Sequence, residues 1–198
     1  MPRMKPKSNY ISPAQFNDII NYVPALRIRK WRDTDVQFAF KIAYYAALRL
    51  GAEVTYLTKE DFDLDRCEVY LGKTKTRVED YAPLAKQFMP ELSVYLDGKK
   101  PLEPILKDCN EQNLYKWLIK IGNDLQINAL ITPQSITHEK TKLHIFRKSM
   151  LKDMMFGTFG KNANIGQVQS QARHKRATTT ADYLHLDIEG AKEYWDDL

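Results

Sequence analysis

The run over residues 35–50 constrains this chain most. Val36, Ala39, Phe40, Ala43, Ala47 and Leu50 recur at helical spacing, and Ile42 and Leu48 lie between them. A helix that is apolar nearly all round has no face to give to water, so it must be buried. Arg49 stands at its end. A permanent positive charge is expensive in such a place unless an anion meets it.

The 198 residues suffice for one compact domain with a real core and are short for two. No apolar run approaches the ~20 residues that span a bilayer. The opening MPRMKPKSNY is basic but lacks the apolar stretch of a signal peptide. Cys67 and Cys109 make neither a metal-ligand spacing nor a disulfide framework, which fits a reducing, cytoplasmic setting. The net charge is +5, but six acidic residues and one lysine fall after position 181, so the preceding 181 residues carry +10. That charge is clustered at Arg27–Arg32, at Lys73–Arg77, at Lys140–Lys152 and at Arg173–Arg176. Brought to one face, the clusters would suit a polyanion; left apart, they are solvated faces.

Ser12 followed by Pro13 predicts a helix start, with the helix running over 13–23 to Pro24. Short alternating runs at 61–63, 67–71 and 78–82 predict a small antiparallel sheet, with Gly72-Lys73-Thr74-Lys75-Thr76-Arg77 as a lysine-bearing turn. Helical patterns follow over 84–97, 111–126, 142–156 and 163–172, with shorter pieces at 177–184 and 188–197. The expected fold is mainly α with one small antiparallel β-sheet (α+β). Its expected organisation is a flexible basic arm over 1–10, a domain over 11–186 and a tail helix over 187–198.

The stretch RATTTADYLH, residues 176–185, places Tyr183 behind three threonines and nine residues after His174. A tyrosine hydroxyl titrates near ~10 and is a poor nucleophile at neutral pH. It attacks a phosphodiester only where cations neutralise the phosphate and an acid protonates the departing oxygen. A nucleophilic tyrosine thus predicts arginines, a lysine and histidines, and Arg49, Lys73, His144, Arg147 and His174 supply them. His144 and Arg147 stand three apart on a predicted helix, hence on one face.

Four blocks in order now resemble the catalytic domain of tyrosine recombinases, the phage-type and archaeal integrases. AALRLGAEVTYLTKEDFDLD resembles the first arginine box, and YLGKTKTRVEDYAPL the lysine hairpin. LHIFRKSM resembles the His-x-x-Arg box, and QARHKRATTTADYLH the closing His and Tyr box. The resemblance implies that Arg49 and Arg147 clamp the non-bridging oxygens of the scissile phosphate, a task suited to bidentate guanidiniums. It implies Lys73 as the general acid for the leaving 5′ oxygen, with Lys75 the alternative. His144 and His174 would bond the phosphate and assist proton movement. Glu53 would orient the basic residues, with Lys148 also in support. Tyr183 would form a 3′-phosphotyrosine. Arg77, Lys142, Arg173, Lys175 and Arg176 would touch DNA. No metal or cofactor is implied. The implied partners are double-stranded DNA and further copies of the chain, tetrameric on DNA in the family.

The chain also departs from the family pattern. The acidic residue usually stands three after the first arginine, whereas Glu53 is four after Arg49. Leu57 and Glu60-Asp61 are shifted alike, which reads as a one-residue insertion. Lys148 replaces a frequent histidine, Ala172-Arg173-His174 replaces Leu-Gly-His, and the segment between Arg147 and His174 is a few residues longer. These differences fit a divergent member, archaeal or viral. The family's N-terminal core-binding domain is not matched, since the pattern starts near Tyr10. An excised domain or a naturally short protein, with 1–10 as linker remnant or substitute arm, is the expectation.

Each residue also has a plainer reading. Arg49 and Glu53 at i,i+4 form a structural ion pair, and Thr178–Thr180 are turn and N-cap residues. His185 packs, and Trp117 and Trp195 are core or docking anchors. The acidic tail docks on a neighbouring subunit or on its own domain. As function, a site-specific recombinase stands first, a type IB topoisomerase-like nicking and closing activity second, and a non-catalytic DNA-binding module third.

Overall fold

The structure is a computed structural model that describes residues 10–73, 79–131 and 143–184, with 73, 79 and 181–184 described by their backbone alone. The expectations for Lys75, Arg77, Lys142, His185, Trp195, the arm over 1–9 and the tail over 187–198 lie outside the described residues.

Helix α1, Pro13–Tyr22, opens with a capping box. Ser12 Oγ accepts from the Gln15 backbone N–H at 3.2 Å, and Gln15 Oε1 accepts from the Ser12 N–H at 3.0 Å. Pro13 fits there because the first helical turn needs no donor from it. The chain then enters a 3-10 turn over Val23–Leu26. The preceding Ile11 N–H donates to Ser149 Oγ at 2.9 Å and so fixes the chain's entry to the core.

Helix α2, Asp33–Tyr45, is the buried centre. Val36, Ala39, Phe40, Ile42 and Ala43 are completely buried. Phe16 of α1 stacks on Tyr44 at 4.1 Å, and its edge meets Phe146 at 5.7 Å. Each such side chain contributes about 1.5–3 kcal/mol through burial. The helix ends five residues earlier than its apolar pattern predicts. Ala46 caps it, Ala47 adopts the left-handed region with φ 51°, and the chain turns away. Ala47, Leu48 and Leu50 stay buried, so the apolar pattern continues although the helix does not.

Strands β1, Phe62–Asp63, β2, Glu68–Lys73, and β3, Glu79–Pro83, form one antiparallel sheet in the order β1-β2-β3. Tyr70 pairs with Tyr81, and Lys73 with Glu79 across a register shift. Lys73 therefore belongs to the end of a strand, not to the turn. Helix α3, Met89–Asp97, starts later than the predicted 84, after a 3-10 turn over Lys86–Phe88. Pro90 belongs to its first turn, where a missing donor is harmless.

Helix α4, Glu111–Asp124, is capped by Asn110 and buries Leu114, Leu118 and Ile121. A four-residue helix α5, Asn128–Ile131, absent from the sequence expectation, packs on α4. A β-carbon on Gly122 would lie 2.6 Å from that of Leu130, so glycine permits the approach. Helices α6, Ile145–Met155, α7, Ile165–Ala172, and α8, Ala177–Leu184, complete the domain. Helix α6 packs on α2 and α7, and α8 packs on α6 and α7. Within α6, Asp153 accepts from the Tyr44 hydroxyl of α2 and from Thr158 Oγ1 at 3.0 Å. Burial pushes the Asp153 carboxyl up and, with that hydrogen bond, the Tyr44 phenol up as well. No described helix is long and apolar enough to cross a membrane.

Candidate active site

The turn after α2, the start of α6 and the end of α7 meet at one place. Leu50 N–H donates to Leu143 O at 3.3 Å and joins the first two. Arg49 lies in that turn, four residues past the last helical residue, with its side chain 44% exposed. His144 is the N-cap of α6, and Arg147 follows in its first turn. His174 follows Arg173, which caps α7 in the left-handed region with φ 53°.

Glu53 is the common anion. Its carboxylate accepts from the Arg49 backbone N–H at 2.7 Å and from Arg173 Nη2 at 2.8 Å. Arg49 Nη1 lies 3.4 Å away and Arg147 Nη1 4.0 Å. The side chain is 10% exposed, so these charges act with little screening. The extra residue between Arg49 and Glu53 is taken up by a wide turn. Arg49 O accepts from both the Glu53 N–H at 3.0 Å and the Val54 N–H at 3.3 Å. The ion pair that the plainer reading offered for Arg49 and Glu53 is present, but as one edge of a larger network.

Arg147 is buried, 2% exposed, and aimed by backbone. Nη1 donates to Ala47 O at 3.1 Å and Nη2 to Ala172 O. The left-handed Ala47 thus turns its carbonyl to a guanidinium 100 residues away. Burial, with Arg49 and Arg147 nearby, pushes the His144 imidazole down to about 4. Burial, with Arg147, Arg49 and Arg173 nearby, does the same for His174. Both rings are therefore neutral at pH 7, each able to donate from one nitrogen and accept at the other.

His174 Nδ1 lies 3.0 Å from Thr180 Oγ1, and Thr180 is fully buried inside α8. Thr178–Thr180 are helical rather than capping, because α8 already begins at Ala177. Tyr183 lies on the same helix, one turn beyond Thr180. Lys73 lies on the strand end that pairs with β3. Lys148 is half-buried, and burial with Lys152 nearby pushes its ammonium down to about 8. Lys175 and Arg176 are exposed.

Arg173 differs from its expectation as a DNA-facing cation. Its side chain is 10% exposed and turned inward, with Nε on Asp80 Oδ2 at 2.9 Å and Nη2 on Glu53. Sequence reading missed Asp80, Thr180 and Gln171. Gln171 is buried on α7 and donates to Ala46 O at 3.1 Å and Pro83 O at 3.0 Å. An amide on the buried side of a short helix was the signal available for Gln171; Asp80 carried none in its local pattern. Trp117, expected as an anchor, packs its edge on Trp31 at 5.3 Å against the core.

Two guanidiniums, Arg49 and Arg147, two neutral imidazoles and a shared carboxylate can hold an anion and pass protons beside it. Residues 9–189 match the profile described as Phage integrase family. The fold is similar to that of XerA recombinase, with TM-score 0.64 and 16% identity over 100% of this chain and 66% of that one. It is also similar to the Tn1549 transposon integrase in complex with a circular intermediate DNA, with TM-score 0.62 and 15% identity over 99% and 67%. The catalytic domain of bacteriophage HP1 integrase matches with TM-score 0.61 and 14% identity over 94% of this chain and 93% of that domain. The chain thus spans about two thirds of the first two relatives and nearly all of the third. No curated protein sequence matches significantly.

Proposed function

Because this chain belongs to the phage integrase family, we propose that it acts as a site-specific DNA recombinase whose Tyr183 cleaves and rejoins DNA through a 3′-phosphotyrosine. The observation that carries this reading is the convergence of Arg49, Glu53, His144, Arg147 and His174, with Thr180 linking His174 to the helix of Tyr183.

In this mechanism Arg49 and Arg147 hold the non-bridging oxygens of the scissile phosphate. Arg147 arrives preoriented by Ala47 O and Ala172 O, so little reorganisation accompanies charge development. Glu53 keeps the guanidiniums in register. The neutral imidazoles of His144 and His174 bond the phosphate oxygens and relay the phenolic proton. As the Tyr183 oxygen bonds to phosphorus, the bond to the 5′ oxygen breaks, and Lys73 protonates that leaving oxygen. Rejoining runs the same steps backwards: the 5′ hydroxyl attacks and the phenol is released.

The domain that does this covers 11–186, and further copies assemble on DNA with the tail over 187–198 docking on a neighbouring subunit. Relatives in DNA complexes support the choice of partner. The cytoplasm, or that of a host, is the compartment in which such a protein meets DNA.

Covalent trapping tests the reading. The protein is mixed with pooled nicked suicide duplexes and denatured, and adducts are counted. An adduct lost in Tyr183→Phe is the expected result. Binding with no adduct on any duplex would overturn it in favour of a non-catalytic DNA-binding module. Nicking and closing without strand exchange would place the chain with type IB topoisomerase-like enzymes.

A further inference from the structure

We propose that Arg173 is a positioning residue for the lysine hairpin: its guanidinium ties Asp80 on β3 to Glu53 after α2, and so holds Lys73 beside the Arg49–Arg147 cluster. The assignment rests on the recombinase reading above and names how this chain aims its general acid.

The backbone supplies the first argument. Arg173 adopts φ 53°, where glycine is at ease and most other residues are strained. The side chain is not a bystander that happens to sit there. It is 10% exposed, with one nitrogen on Glu53 at 2.8 Å and another on Asp80 at 2.9 Å. Glu53 and Asp80 stand 27 positions apart on different elements, and Arg173 comes from a third. One planar fork fixes all three, which a lysine's single ammonium cannot do in the same geometry.

The sheet supplies the second. Asp80 directly follows Glu79, the cross-strand partner of Lys73. The other end of β3 is held separately, since Pro83 O accepts from Gln171 Nε2. Helix α7 and its cap thus grip β3 at both ends, and Arg173 grips the end that faces Lys73 across the ladder. The register shift between Tyr70 and Lys73 loosens the ladder just there, so the hairpin needs an outside tether.

Charge supplies the third. Glu53 is shared with Arg49 and Arg147, whereas Asp80 meets Arg173. Without Arg173 the two carboxylates lose the cation between them, and their repulsion moves β3 away from the turn after α2.

The test compares adduct formation on two nicked duplexes that differ only in the leaving atom, 5′ oxygen or 5′ sulfur. A thiolate departs without being protonated, so the sulfur duplex does not need a correctly placed lysine. Arg173→Gly removes the side chain and relieves the backbone, and a thermal melt checks its fold. The expected result is a loss of about tenfold to a hundredfold on the oxygen duplex and less than about threefold on sulfur, below the full general-acid contribution of about a hundredfold to ten-thousandfold because Lys73 is displaced and not removed. Asp80→Asn leaves the backbone untouched and carries the same comparison should Arg173→Gly fail to fold. It should show the same selective loss, smaller in size. Equal losses on both duplexes, or none on either, would overturn the assignment. Absence of any Tyr183-dependent adduct from the unaltered protein on both duplexes would instead overturn the recombinase reading, and this assignment with it.

Discussion

The hydroxyl of Thr180 stands 3.0 Å from Nδ1 of His174, one turn before Tyr183 on the same helix. Thr180→Val keeps the shape and removes the hydroxyl. It leaves a half-buried ring nitrogen without this partner, at a cost of about 1–2 kcal/mol. The melting temperature should fall by a few degrees, and adduct formation should slow by about tenfold as His174 and α8 lose their registration. Thr180→Ser, which keeps the hydroxyl, should recover most of the rate.

Glu53→Gln keeps a planar side chain but leaves Arg49, Arg147 and Arg173 without their shared anion. Breaking a buried pair costs about 3–5 kcal/mol, and the exposure of Arg49 lowers the expected loss to roughly 2–4 kcal/mol. Urea denaturation measures it. Adduct formation should fall at least about tenfold, because misplaced guanidiniums meet the phosphate poorly. An unchanged midpoint would show that the cluster holds without a central charge.

Acid should weaken the fold between about pH 6.5 and 4. His144 and His174 titrate near 4 when folded and near ~6.5 when unfolded. Across that window the unfolded chain binds more protons, so stability is full above it, falls as pH drops, and levels off below it. Discounted for the exposure of His174, the two rings together contribute on the order of 2 kcal/mol. Asp153, whose carboxyl is pushed up, opposes this part of the way. A melting series over pH 4–7 should slope accordingly, and His144→Gln with His174→Gln should flatten it.

DNA affinity should fall steeply with salt. Lys175 and Arg176 are exposed beside the site, so removing both should lower the log–log slope by about 2. Arg173 is already paired with two carboxylates, so Arg173→Gln should leave that slope nearly unchanged. Fluorescence anisotropy at several salt concentrations separates the two cases.

Much of this architecture was legible in local pattern. Ser12-Pro13 announced α1, and α8 runs over Ala177–Leu184 as its residues suggest. The apolar run into Leu50 correctly predicted burial but not conformation. Ala47, Leu48 and Leu50 are buried in irregular chain, and hydrophobic periodicity cannot distinguish that from another helical turn. Helix α5 is too short to leave a period. Arg49, His144, Arg147 and His174 follow from residue type and order, Glu53 from the family resemblance alone, and the five converge. Asp80 was invisible because its importance is set by a partner 93 positions away. Arg173 looked like one more surface cation in a basic run, and only the left-handed cap turns it inward.

Arg147 takes its two carbonyl partners from opposite ends of the chain's folding problem, one 100 residues upstream and one 25 downstream. Neither exists for it until α2 has ended in its left-handed turn and α7 has docked. The clamp is consequently a cooperative property of the closed domain, not of any local segment. Amide exchange at Ala47, Ala172 and the first turn of α6 should therefore follow global opening. A partly synthesised chain that lacks α7 has no Ala172 carbonyl to aim Arg147, so the site comes into being with the closed domain and not before it.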